Sequence, residues 1–201
     1  MTRYILVSIL TLVLVSCKDN PAVKKAKDVQ KVVSSTNNIV KQANDIQEKA
    51  EYLKSIRPLT MNELKEWLPE KIGNMSQKSY KTGATSMMGV VSIEAKFTSE
   101  DKVQGFYLEL MDCAGETGAS MMTGMRSIFA MDYEEETEYK TKRTVTKNGQ
   151  RAIIEYNKKS GDSTVETLYN DRFYLKLTAN KMSVDDVWLI IKKLDLESLE
   201  Q

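Results

Sequence analysis

From Val91 onward the apolar residues recur at every second position, and this spacing limits the fold more than any other feature of the chain. Val91, Ile93, Ala95 and Phe97 alternate with polar neighbours, as do Phe106, Leu108 and Leu110, then Val165, Thr167 and Tyr169, then Phe173, Leu175 and Leu177. A period of two places one set of side chains on one face of an extended segment, so each run reads as a half-buried strand. Asn148-Gly149, between Thr144-Val145 and Ala152-Ile153-Ile154, suits the positive φ angles of a type I′ hairpin. Ser160-Gly161 and Asn170-Asp171 mark two further turns. The second half of the chain is therefore predicted to be an antiparallel meander.

Helical signals flank and interrupt the strands. Thr60-Met61-Asn62-Glu63 has the form of a capping box, and Leu64, Trp67 and Leu68 follow it before Pro69 and Gly73 close the element. Gly115 to Met131 holds Met121, Met122, Met125, Ile128 and Phe129 at helix-compatible spacing. Near the end, Ser183 is a cap, Asp185 and Asp186 suit a helix N-terminus, and Val187, Trp188, Ile190, Ile191 and Leu194 form an apolar face. Trp67 and Trp188 read as core anchors on short helices. The fold class is α+β: a helical stalk, then an antiparallel sheet with helices packed on one face.

The stalk is predicted over Pro21 to Arg57. Val29, Val32, Thr36, Ile39, Ala43, Ile46, Ala50 and Leu53 follow at steps of three and four, forming a narrow a/d stripe that the Ser34-Ser35-Thr36-Asn37-Asn38 patch weakens. Fully helical, it would reach about 55 Å. Three roles fit: a solvated tether with its last turns packed on the domain, self-association through the stripe, or contact of Lys18, Lys24, Lys25, Lys27 and Lys31 with anionic headgroups. Pro58 ends the helix, and the globular domain is expected over 58–201.

At the start of the chain, Arg3 precedes an apolar run, Tyr4 to Val15, too short to span a bilayer comfortably, and Leu14-Val15-Ser16-Cys17 follows. This resembles a bacterial lipoprotein signal. The resemblance implies a signal peptide over 1–16, cleavage before Cys17, and acylation of Cys17, with residues 17–57 forming the lipidated N-terminus and stalk. Membrane lipid, reached through acylated Cys17, is then a partner. Lys18 stands where an Asp often marks inner-membrane retention in that family, so the resemblance implies an outer-membrane address in the cell envelope, facing the periplasm or the surface.

Composition removes many activities. The formal net charge is +1, and Arg3 would leave with the signal, so no nucleic-acid footprint exists. Histidine is absent, which removes the usual general base, the Ser-His and Cys-His pairs and the imidazole ligands of most catalytic zinc sites. Lipidation of Cys17 leaves Cys113 as the single thiol, without a disulfide partner in the chain. No phosphate-binding glycine loop, nucleophile elbow, CxxC or EF-hand spacing is present. The chain reads as a non-enzyme with no cofactor.

Methionine supplies the sharpest site signal. Met87, Met88, Met121, Met122 and Met125 are the candidate ligand-binding residues, with Met111, Met131 and Cys113 nearby. Thioethers and a thiolate select Cu(I), whereas methionine at helical spacing also fills irregular core gaps or forms a plastic apolar groove. Gly115, Gly118 and Gly124 lower helix stability in the same segment, as a movable flap over a sheet would require. Asp132, Glu134, Glu135, Glu136 and Glu138 form an acidic run, predicted as one solvated strand at a sheet edge, with Glu134, Glu136 and Glu138 on one face with Lys140 and Lys142 and Glu135 on the other.

Leu68-Pro69 with Gly73, Ser86-Met87-Met88-Gly89 before the first long strand, the Met/Gly-rich insertion and Asp171-Arg172-Phe173 follow an order that resembles a group of uncharacterised bacterial envelope proteins over Leu68 to Leu199. That group implies no catalytic residue. The expected function is a membrane-anchored envelope lipoprotein acting as a binding module for a partner or apolar ligand. The alternatives are a structural oligomeric stalk protein and a copper-handling lipoprotein built on methionine.

Overall fold

A computed structural model describes residues 45–83 and 89–200. Helix α1 (45–55) comes first, followed by α2 (Met61–Trp67), β1 (Lys71–Ile72), β2 (Met75–Thr82), β3 (Val91–Ser99) and β4 (Gly105–Asp112). Helix α3 (Gly115–Ala130) leads to β5 (Glu134–Glu136), β6 (Lys140–Lys147), β7 (Gln150–Asn157), β8 (Ser163–Tyr169) and β9 (Phe173–Asn180). The chain closes with α4 (Val184–Lys193) and a 3-10 turn at Glu197–Glu200. The class is α+β, with one nine-stranded sheet in the order β1-β2-β3-β4-β9-β8-β7-β6-β5. Every neighbouring pair is antiparallel.

Two meanders make the sheet. The first ends at β4 in the middle; α3 then carries the chain to the far edge, and the second returns from β5 to β9, which closes against β4. The turns use the residues that such reversals demand. Asn148 and Gly149 have φ of 53° and 80°, and Asn170 and Asp171 have φ of 46° and 54°, values that Asn, Asp and Gly tolerate best.

Alternation builds the main core. Ile93, Ala95 and Phe97 of β3, Phe106, Leu108 and Leu110 of β4, and Phe173, Leu175 and Leu177 of β9 share one face and are almost fully buried. Phe97 and Phe106 stack with centroids 4.5 Å apart. Leu64 of α2, Val187, Ile190 and Ile191 of α4, and Leu194, Leu196 and Leu199 beyond it cover them. Both helices start with reciprocal caps, Thr60 with Glu63 and Ser183 with Asp186. At the first, Glu63 also pairs with Arg57 at 2.7 Å, and this pair, with the Thr60 hydrogen bonds, holds the Glu63 carboxyl down to about 2.

The expectation of helices on one face is corrected by a second core on the opposite face. Leu53 of α1, Ala119, Met122 and Phe129 of α3, Met111 and Tyr174 of the sheet, and Cys113 just beyond β4 are buried together there. Met111 and Tyr174 stand opposite each other in register, each following a residue that faces the main core. Apolar residues at consecutive positions give these strand ends two faces to cover. Helix α3 covers the second face closely because Gly118 has no side chain: a Cβ there would lie 2.5 Å from the Cys113 carbonyl carbon.

Leu53 is 2% exposed, and Lys49 Nζ lies 2.9 Å from Asp171 Oδ2 in the turn between β8 and β9. The compact unit therefore begins at Asp45 rather than at Pro58. The last member of the heptad stripe is used inside its own chain. The rest of the predicted stalk, and Cys17 with it, lies outside the described residues. The acidic run also differs from one straight strand: β5 stops at Glu136, the chain reverses, and Glu135 and Glu136 pair with Lys140 and Lys158.

Candidate functional site

Helix α4 crosses the main-core face over β7 to β9, and beside it the apolar side chains of β6 and β7 are left partly open. Val145, Ile154 and Trp188 are only partly buried at the margin of that core. The tight Asn148-Gly149 turn fixes the end of the β6–β7 hairpin and brings Lys147 over α4. Lys147 Nζ sits 5.4 Å from the centre of the Trp188 ring and 2.9 Å from Asp185 Oδ1. An ion pair thus roofs an indole.

A hollow opens on each side of Trp188. The larger, about 800 Å³, lies between Gln150, Tyr169, Leu189 and the residues that end α4. The smaller, about 400 Å³, lies over Arg143, Val145, Ile154 and Tyr156. Lys147, Asp185 and Trp188 line both. Leu189 is 58% exposed, so an apolar side chain stands at the rim. Burial, with Glu200, Glu197 and Asp195 nearby, keeps the Tyr169 phenol above its ordinary range and protonated. An aromatic floor with paired charges around it suits an amphipathic group: the indole and aliphatic atoms take apolar surface and the rim exchanges hydrogen bonds.

No family model, curated protein or solved structure matches this chain.

The methionine candidates are placed differently. Met122 is fully buried in the second core with Met111 and Cys113, and Met121 and Met125 pack at its edge. Met87 and Met88 lie outside the described residues. Burial, and then Asp112, push the Cys113 thiol up to about 12, so it offers no thiolate. Among the described residues no group of three or more His, Cys, Asp or Glu side chains could hold a metal ion. In that region methionine fills space between a helix and a sheet.

Two charged features were missed in the sequence. Asp112, fully buried, accepts hydrogen bonds from Arg172 Nε and Nη2, both at 2.8 Å, and from the backbone N–H groups of Leu59 and Ala114. It fastens the entry to α2 and the start of α3 to the centre of the sheet. Arg126 of α3, also buried, donates Nε and Nη2 to Asp171, while its Nη1 has no hydrogen-bond partner. The sequence signal for the first is Asp171-Arg172-Phe173, whose arginine immediately precedes β9. Trp188 packs against the main core, as its apolar helix face predicts, and in addition lines both hollows.

Proposed function

We propose that the chain is a lipid-anchored binding protein of the bacterial cell envelope, held through acylated Cys17 to the outer membrane, whose α+β domain receives an apolar group of a partner or ligand beside Trp188. The lipobox-like Leu14-Val15-Ser16-Cys17 supports the anchor. Among the described residues no helix is long and apolar enough to cross a membrane. The observation that carries the binding role is the pair of hollows beside Trp188, which have Val145, Ile154 and Leu189 among their lining residues. The absence of histidine from the whole chain agrees with binding rather than turnover.

The test uses a neutral apolar probe, N-phenyl-1-naphthylamine, added to the detergent-purified full chain. Saturable fluorescence enhancement that falls at least tenfold in affinity in Trp188→Ala, with circular dichroism unchanged, is the expected result. Equal binding by both proteins would overturn the site. Intact mass of membrane-extracted protein beside Cys17→Ala tests the anchor separately: a diacylglyceryl-plus-acyl increment lost in the variant is expected, and an unmodified wild-type chain would remove it.

A further inference from the structure

The face of the sheet opposite the main core carries a hollow of about 780 Å³ at the end remote from α3. Its walls come from β2, β3, β4 and the turn joining β3 to β4. Lys78, Lys96 and Lys102 line it, and no carboxylate does.

Strand register explains how three lysines reach one place. Gln77 stands opposite Phe97, and Ser79 stands opposite Lys96, so Lys78 is an extra residue with no partner on β3. Such a bulge resets the alternation and turns two successive side chains to the same side. Lys78 and Ser79 thus both line the hollow beside Lys96. Lys102 arrives from the turn, at a φ of 60°. That turn is held by Ser99, which donates its hydroxyl to Asp101 Oδ1 at 2.6 Å and accepts from Gln104 N at 3.1 Å. Asp101 also accepts from Val103 N at 3.0 Å, so this carboxylate is committed to the turn, and Glu94 is engaged in turn by the hydroxyl of Tyr107, which lines the hollow.

The floor is open for a separate reason. Gly105 lies between Thr98 and Asn180 in the ladder and contributes no side chain, and a Cβ there would meet the Phe97 carbonyl oxygen at 2.7 Å. Thr98, Gln104 and Asn180 surround the gap with neutral hydrogen-bonding groups.

Several lysines of the domain stand beside carboxylates: Lys142 with Glu155, Lys147 with Asp185, Lys158 with Glu136 and Lys176 with Glu166. None of Lys78, Lys96 and Lys102 enters an ion pair among the described residues. In a nearly neutral chain, three uncompensated ammonium groups around one concave surface repel each other and lower the energy of an anion placed between them. Lysine offers three rotatable donors, which suits the several oxygens of a phosphate group.

We propose that this hollow is a binding site for a phosphate monoester, the negative group seated among Lys78, Lys96 and Lys102 over the bare backbone at Gly105. It is separate from the hollows beside Trp188, on the other face of the sheet. The phosphate can belong to a small soluble molecule or to a lipid headgroup.

Isothermal titration of the full chain in a neutral detergent separates the two sources. The probes are glycerol 3-phosphate, dihexanoylphosphatidic acid below its micellar concentration, and dihexanoylphosphatidylcholine as the zwitterionic control. Saturable binding of one or both phosphate monoesters, and not of the phosphatidylcholine, is expected; binding of the lipid alone assigns the headgroup and equal binding of both assigns the free ester. Lys78→Gln, Lys96→Gln and Lys102→Gln together should weaken binding at least tenfold. Lys65→Gln, Lys71→Gln and Lys159→Gln, which remove the same charge elsewhere, should leave it within about twofold, as should Trp188→Ala. No saturable binding of either monoester, or the same loss in both triple variants, would overturn the site without touching the apolar probe result.

Discussion

Asp112 and Arg172 meet edge to edge in the interior, two hydrogen bonds of 2.8 Å joining a carboxylate to a guanidinium. With no exposed carboxylate surface and four donors from three residues converging on it, Asp112 is compensated only while Arg172, Leu59 and Ala114 stay docked. Removing either charge leaves the other buried alone, which costs about 3–5 kcal/mol. Arg172→Met is expected to lower urea-unfolding stability by that amount, and Asp112→Leu with Arg172→Met by clearly less than the sum of the single changes. Additive losses in the double-mutant cycle would show that the two groups do not act as a pair.

Gly118 and Gly124 lie in the same helix with opposite consequences. A methyl group at Gly118 would sit 2.5 Å from the Cys113 carbonyl carbon and 2.6 Å from its oxygen, whereas nothing lies within 4 Å at Gly124. Gly118→Ala should destabilise by about 1–3 kcal/mol through overpacking. Gly124→Ala should stabilise by about 0.5–1 kcal/mol through helix propensity. Thermal melting of the two variants beside wild type reads both signs.

Stability should fall in acid through Glu63. Its folded carboxyl is held down to about 2 by Arg57 and the Thr60 cap, against an ordinary 4.5. A depressed folded value gives a contribution that is complete above pH 4.5 and disappears as pH drops through about 2. The gap in urea midpoint between wild type and Glu63→Gln should therefore be constant above pH 4.5 and close steadily below it. A gap that stays constant down to pH 2 would show that the carboxylate charge contributes nothing.

Cys113 should be chemically silent in the folded protein. Its side chain is fully buried and its thiol is pushed up to about 12. In Cys17→Ala, where it is the only thiol, Ellman's reagent at pH 8 should label no cysteine in the native chain and all of it in guanidinium. Rapid native labelling would mean that α3 opens readily.

The main core was legible because its residues alternate without interruption: Phe97, Phe106 and Leu175 mark one face from the sequence alone. The second core was not, because the only strand residues buried in it are Met111 and Tyr174, with Ile153 and Leu168 packed at its margin, single apolar residues in otherwise polar rows such as Tyr107 and Glu109. They gain meaning only once α3 is known to land on them. Both capping boxes and the turn at Asn148-Gly149 could be read locally, since each is complete within four residues. The hollow lined by lysines could not: Met75 to Thr82 contains no glycine or proline to announce a bulge, and Lys78 is displaced only relative to its partner strand. Trp188 was seen on an apolar face, but how far α4 reaches across β6 depends on the width of the whole sheet.

The joint between β4 and β9 also imposes a schedule. Asp112 and Arg172, at its two sides, are sixty residues apart in the chain, so β4 waits with one long edge bare until almost everything else has been made. Pairings this distant form slowly, and an unpaired edge invites foreign strands in the meantime. For a chain delivered amino end first, the vulnerable interval runs from the emergence of Gly105 to that of Asn180, and any chaperone that escorts it has this one ribbon to shield.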